Sequence, residues 1–191
     1  MRAGIHRSLL AAIAAATLAG GLPLVRGQSV AEIEQQVKAG YLYNFAKFVE
    51  WPGETEARNG APIIFGVVGK GPFASLLEKT VDGKTINGRP LVVRRLAENQ
   101  PLNSCHILFV SSTVKKRPEA ILQTLEGTSV LTVGEAEGFA HRGGMVNFTM
   151  EQNRVHFEVN LAAVQRAGLK LSSRLLTLAT LVGNGPEGNR R

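Results

Sequence analysis

The sequence predicts an α/β fold: a single-domain three-layer sandwich, with a mixed, mostly parallel sheet flanked by helices and a C-terminal antiparallel hairpin. Three observations predict it. Segments with helical apolar spacing alternate with short continuous apolar runs, the pattern of strands joined by crossover helices. Gly, Pro and Asn separate these segments closely enough to leave no interdomain linker. Near the C terminus, two segments alternate apolar and polar residues on either side of a short turn.

The first element is a helix over Val30–Val49, where Val30, Ile33, Val37, Tyr41, Phe45 and Phe48 form one apolar stripe. Ser29 suits the N-cap, and Pro52 stops the helix beyond Trp51. A polar loop, Gly53–Ala61, leads into a strand at Pro62–Val68. Pro72 suits the first turn of a helix reaching Thr80. Thr85-Ile86 and Leu91–Arg94 flank Asn87-Gly88, a hairpin turn signal. A strand at His106–Val110, a helix at Pro118–Leu125 and a strand at Val130–Val133 follow. Gly144–Met150 and Arg154–Asn160 form the hairpin, turning at Glu151–Asn153. In its second strand Val155, Phe157 and Val159 face one way, and Arg154, His156, Glu158 and Asn160 the other. Leu161–Ala167 is a helix ended by Gly168, and Ser172–Val182 is the final helix.

The chain has 191 residues, enough for one domain that buries about 70% of its surface without disulfide or metal staples. Its single cysteine excludes an intramolecular disulfide and any Cys-rich zinc site. The formal charge of +7 raises the question of nucleic acid. Residues 1–27, however, read as a signal peptide: Arg2 and Arg7, then the apolar run Ser8–Gly20, then Gly21 and Pro23. That run is shorter than the roughly 20 residues that span a bilayer. Without Arg2, Arg7 and Arg26, 19 of the 22 basic residues remain against 15 acidic ones, a net charge of +4. Arg190 and Arg191 belong to a Gly-rich tail, 183–191, of disordered composition. The other basic clusters, Arg94-Arg95 and Lys115–Arg117, are too short for a phosphate track, so no nucleic-acid partner is expected. The folded domain is expected over 28–182, in the periplasm.

Gly69-Lys70-Gly71-Pro72-Phe73-Ala74 approximates the dinucleotide pattern G-x-G-x-x-A between a strand and a helix. It reads equally as a glycine turn before a proline-led helix. His106, His141 and His156 lack metal-ligand spacing, and no nucleophile elbow is present. No cofactor, metal or catalytic activity is expected. His156 and Glu158 share one strand face about 6.6 Å apart, within reach of one ligand or of a partner's charge.

Val37–Pro52 (VKAGYLYNFAKFVEWP) resembles the N-terminal signature of the YfiR family. Ile63–Phe73, Lys84–Arg94, Cys105–Ser111, Gly143–Phe148, Val155–Gly168 and Leu171–Leu178 are similar to later family segments in the same order. The resemblance implies a periplasmic regulator that binds the periplasmic part of an inner-membrane diguanylate cyclase and inhibits it. Cyclic di-GMP signalling and biofilm formation then fall. It further implies an outer-membrane lipoprotein that sequesters the regulator, a homodimer as a possible state, and a sensor kinase as another regulated partner. The alternative is a periplasmic small-ligand sensor subunit reporting to a kinase or cyclase. The resemblance implies disulfides, as in the best understood members, that this chain, with only Cys105, cannot form within itself.

Interface anchors are commonly aromatic or Arg. Tyr43, off the apolar stripe, and Trp51, expected exposed in the loop before Pro52, are the expected partner-binding residues. His156, Glu158 and Asn160, with Arg174 on the last helix, form the second expected surface, for a ligand or a partner.

Overall fold

The computed structural model describes residues 28–53 and 60–183. The expected signal peptide, most of the Gly53–Ala61 loop and the tail beyond Gly183 lie outside the described residues. In chain order the elements are α1 (Val30–Phe48), β1 (Val49–Glu50), β2 (Ile63–Val68), α2 (Phe73–Val81), β3 (Thr85–Ile86), β4 (Arg89–Leu96), β5 (Ile107–Val110) and α3 (Pro118–Gln123). There follow β6 (Leu131–Gly134), β7 (Val146–Glu151), β8 (Arg154–Asn160), α4 (Leu161–Arg166), β9 (Lys170–Leu171), α5 (Ser173–Leu176) and β10 (Thr180–Val182).

Helix α1 opens with a capping box. Ser29 Oγ accepts from the Glu32 amide at 3.2 Å, and Glu32 Oε2 accepts from the Ser29 amide at 2.8 Å. The eight-stranded sheet runs β10-β8-β7-β6-β5-β2-β4-β3. Its centre, β7-β6-β5-β2-β4, is parallel, and β10 lies parallel to β8. The β7–β8 and β3–β4 pairs are antiparallel, so the sheet is mixed and mostly parallel, as expected. Both hairpins turn through two consecutive left-handed residues: Asn87 and Gly88 at φ 51° and 77°, and Gln152 and Asn153 at φ 46° and 65°.

Every residue of β5 and β6 is buried, which is why these strands read as unbroken apolar runs. Alternate residues feed two cores. Phe65, Val67, Ile107, Phe109, Leu131 and Val133 pack under α1 and α2. Val68, Leu108 and Val110 face the other way, toward Ile121 of α3 and the loop residue Phe139. In the first core Tyr41 and Phe45 of α1 meet Phe148 and Phe157 of the hairpin, with ring centroids 5.3–6.0 Å apart. Such pairs add about 0.5–1.5 kcal/mol each beyond area burial.

Two expectations are corrected and one feature is added. The final helix does not reach Val182: α5 stops at Leu176, and β10 takes Thr180–Val182 alongside β8. The open edge of β8 offers hydrogen bonds to a Thr-Leu-Val segment whose branched residues suit a strand. The apolar stripe of α1 is only half a core face. Lys38, Ala39, Leu42, Phe45 and Ala46 are buried, whereas Val30, Ile33 and Val37 are exposed. Two short strands, β1 and β9, went unforeseen; they pair antiparallel and pin the end of α1 to the segment after α4.

Phe139 is fully buried against two glycines. A Cβ on Gly134 would lie 2.4 Å from its ring, and one on Gly144 2.2 Å. Gly134→Ala is therefore expected to lower the unfolding free energy by about 1–3 kcal/mol in urea titration. The Gly127→Ala change, at a glycine with open space around it but φ 73°, tests backbone strain alone by the same measurement.

Candidate functional site

Strands β5 and β6 run parallel and end side by side, and their exits carry the main polar cluster. Ser111 and Ser112 follow β5, and Glu135 follows β6. Lys38, in the middle of α1, is 4% exposed and bridges two carboxylates. Its Nζ donates to Glu34 Oε1 at 2.5 Å, one helical turn back, and to Glu135 Oε2 at 2.8 Å. Glu135 Oε1 accepts from Ser111 Oγ at 3.0 Å and from the Ser112 amide and Oγ at 3.1 and 3.2 Å. Burial opposes charge on both partners. The hydrogen bonds and attraction outweigh it, so the Lys38 ammonium is raised and the Glu135 carboxyl lowered from their ordinary values.

Beyond these exits the β7–β8 hairpin overhangs the sheet. Only Val146 and Asn147 of β7 pair with β6, leaving Phe148–Glu151 to run past it. Glu158, opposite Asn147 across the hairpin, accepts from Asn147 Nδ2 at 3.1 Å, and His141 Nε2 lies 3.7 Å from its other oxygen. The overhang, α1 and the β6 exit line an open cavity of about 510 Å³. Ligands commonly bind outside the carboxyl ends of parallel strands.

The Gly69 turn, on the exit of β2, is filled from within. A Cβ on Gly69 would lie 2.6 Å from Ser111 Cβ, and the Lys70 amide donates to Thr113 Oγ1 at 2.7 Å. The backbone that a pyrophosphate would approach is packed against the neighbouring exit.

At the opposite, amino end of the sheet lies a second cavity, of about 370 Å³, between Trp51, Arg89 and His106. The backbone amide of Ile64 donates to His106 Nδ1 at 3.1 Å, and buried Arg89 donates to the Ala61 carbonyl at 2.7 Å. Trp51 stands edge-on to His106, with ring centroids 5.8 Å apart. Cys105 is buried; desolvation pushes its thiol up to about 11, and its sulfur packs where a Gly66 Cβ would come within 2.8 Å. Burial of this kind opposes a disulfide to a second chain.

The expected site residues separate. Trp51 is buried, not an exposed anchor: it directly follows β1, which pairs with β9, and its ring packs into the core beside His106. Asn160 leaves the exposed strand face to become the N-cap of α4, accepting from the Ala163 amide at 3.0 Å and donating to the Ala140 carbonyl at 2.8 Å. Glu158 joins the cavity at the strand exits, while His156 and Arg174 are exposed. Tyr43 is half-buried, with Lys84 Nζ 4.6 Å and Lys47 Nζ 5.6 Å from its ring centre. Lys38, Glu135, Asn147 and His141 were missed. Two signals could have found the first pair: Glu34 and Lys38 at helical spacing i, i+4, and an acid directly after the apolar run ending at Gly134.

The sequence model of a family described as YfiR/HmsC-like matches residues 35–180. Among solved structures, a conserved domain protein from Vibrio cholerae O1 biovar El Tor superposes with a TM-score of 0.54 at 12% identity. The match covers 77% of this chain and 59% of that one, and it shows likeness of fold alone.

Removing Lys38 leaves Glu135 charged in a largely buried place. Lys38→Met is expected to cost about 3–5 kcal/mol in urea unfolding, and Lys38→Met/Glu135→Gln less, because the double change leaves no unpaired carboxylate at residue 135. The lowered Glu135 stabilises the fold fully above its ordinary value of 4.5, and this contribution is lost as pH falls through the lower folded value. The raised Lys38 contributes below 10.5 and loses its contribution as pH rises through the higher folded value. The double variant should therefore show shallower stability losses at both extremes in urea titrations across pH.

Proposed function

The chain belongs to the YfiR/HmsC-like family, a family of periplasmic regulators of the diguanylate cyclase pathway, and from that membership we propose that it binds the periplasmic part of an inner-membrane diguanylate cyclase and holds it inactive. Cyclic di-GMP and biofilm formation fall while the complex lasts. An outer-membrane lipoprotein that competes for the regulator releases the enzyme.

The observation that supports contact with a protein is the outer half of α1. Val30, Ile33 and Val37 recur at helical spacing and are 56%, 47% and 39% exposed, although they continue the stripe that lower down becomes core. A water-facing apolar strip at the end of a well-packed helix suits burial against a partner. Tyr43, His156 and Arg174 are the expected residues that still offer side-chain surface, and we assign them to the polar rim of contact. The cavity beside Lys38 favours the second reading, a small-ligand sensor in the same pathway.

The test is co-expression with the inner-membrane diguanylate cyclases of the host, one at a time, reading cellular cyclic di-GMP and periplasmic co-purification. The Ile33→Lys/Val37→Lys variant should keep its circular dichroism and melting curve, because both sites already face water. It should lose co-purification and restore cyclic di-GMP. Unchanged repression by this variant would rule out α1 as the contact, and no repression by the natural chain would rule out the cyclase as partner.

A further inference from the structure

The eight-stranded sheet ends on β10, and among the described residues no strand pairs with its outer side. β10 covers only Glu158–Asn160 of β8, so Arg154–Phe157 of β8 have no strand on that side either. Such an open edge presents backbone donors and acceptors to any further strand, and edges are commonly guarded by lysine, proline or a bulge. Residues Thr177–Gly183 contain neither a charge nor a proline. Leu178 and Leu181 in this segment are 65% and 57% exposed, the highest values among the exposed large apolar side chains of the described residues.

The surroundings choose the occupant. Leu181 is level with core residue Val159, on the α1 side of the sheet. Alternation along β8 puts Arg154 and His156 on the opposite side, where both are exposed. Arg174, exposed on α5, precedes β10. None of these three has an ion-pair partner among the described residues. Glu158, the acid in the same half of the hairpin, is held by Asn147 and faces His141. A second copy of the chain would bring further cations to the joint, whereas an acidic segment neutralises those present. We propose that this edge takes up an extended segment of another protein, in which apolar β-branched residues alternate with carboxylates, as a strand added to β10. The apolar residues cover Leu181, and the carboxylates lie on the side of Arg154 and His156. The proposal rests on the reading of the chain as a regulator that acts by protein contact.

The probe is a capped octapeptide alternating valine with glutamate, titrated into the isolated mature chain and followed by nitrogen-15 NMR. No cyclase is present, so a negative titration leaves repression standing, and failed repression leaves a positive titration standing. The backbone amide signals of Thr180–Val182 should move, with a dissociation constant of about 1 mM or tighter. The same peptide with lysine for glutamate should bind about tenfold more weakly or worse, and one with a central proline should not bind. Arg154→Glu, at a site already in water, should keep the melting curve and weaken binding of the glutamate peptide about fivefold. The proposal is overturned by absence of binding up to about ten times the stated concentration, by equal affinity for the lysine peptide, by unchanged affinity in Arg154→Glu, or by static signals at Thr180–Val182. It is also overturned if sedimentation shows the natural chain as a dimer that Leu181→Glu converts to monomer, since a second copy would then hold the edge.

Discussion

Lys38 and Glu135 join three parts of the chain that share no sequence neighbourhood. The lysine belongs to α1, the glutamate to the exit of β6, and the glutamate's other oxygen gathers the exit of β5 through Ser111 and Ser112. A buried ion pair contributes little net stability against a hydrophobic replacement, because both ions lose water. Its importance here is positional. With Lys38 bound to Glu135, α1 sits at a fixed height above the strand exits. That height decides which part of its apolar stripe becomes core and which overhangs into water. The cavity beside the exits follows from the same placement.

The two faces of the sheet are held by different means. Under α1 and α2 the contact is large aromatic and aliphatic surface, with Phe45, Phe148 and Phe157 as its centre. On the other face, backbone closeness matters as much as side-chain bulk. Phe139 fits only because Gly134 and Gly144 lack a Cβ, and Cys105 only because Gly66 does. The lone cysteine is thus a packing residue set beside a glycine, with a thiol that burial keeps protonated.

Much of the fold was legible because local signals agreed with the global arrangement. The N-cap at Ser29, the Asn87-Gly88 turn, the buried runs of β5 and β6 and the alternation of β8 all read correctly. The site was less legible. Glu158 was singled out from its strand face, but its partners Asn147 and His141 reach it only across the hairpin and from a separate loop. Trp51 and Asn160 read as surface residues, since neither the β1–β9 pairing nor the cap of α4 leaves a periodic trace in sequence.

The sequence by itself determined the fold class, the position of most elements, the family resemblance and the limit that one cysteine sets on disulfides. These depend on spacing within a segment, where each residue's neighbours are fixed by the helix or strand it forms. Tertiary structure decided that Lys38 is buried, that Val30, Ile33 and Val37 are not, and that Thr180–Val182 becomes an edge strand rather than the end of a helix. Those outcomes depend on what lies opposite each face: a carboxylate at the end of a distant strand, open water, or the unpaired edge of β8.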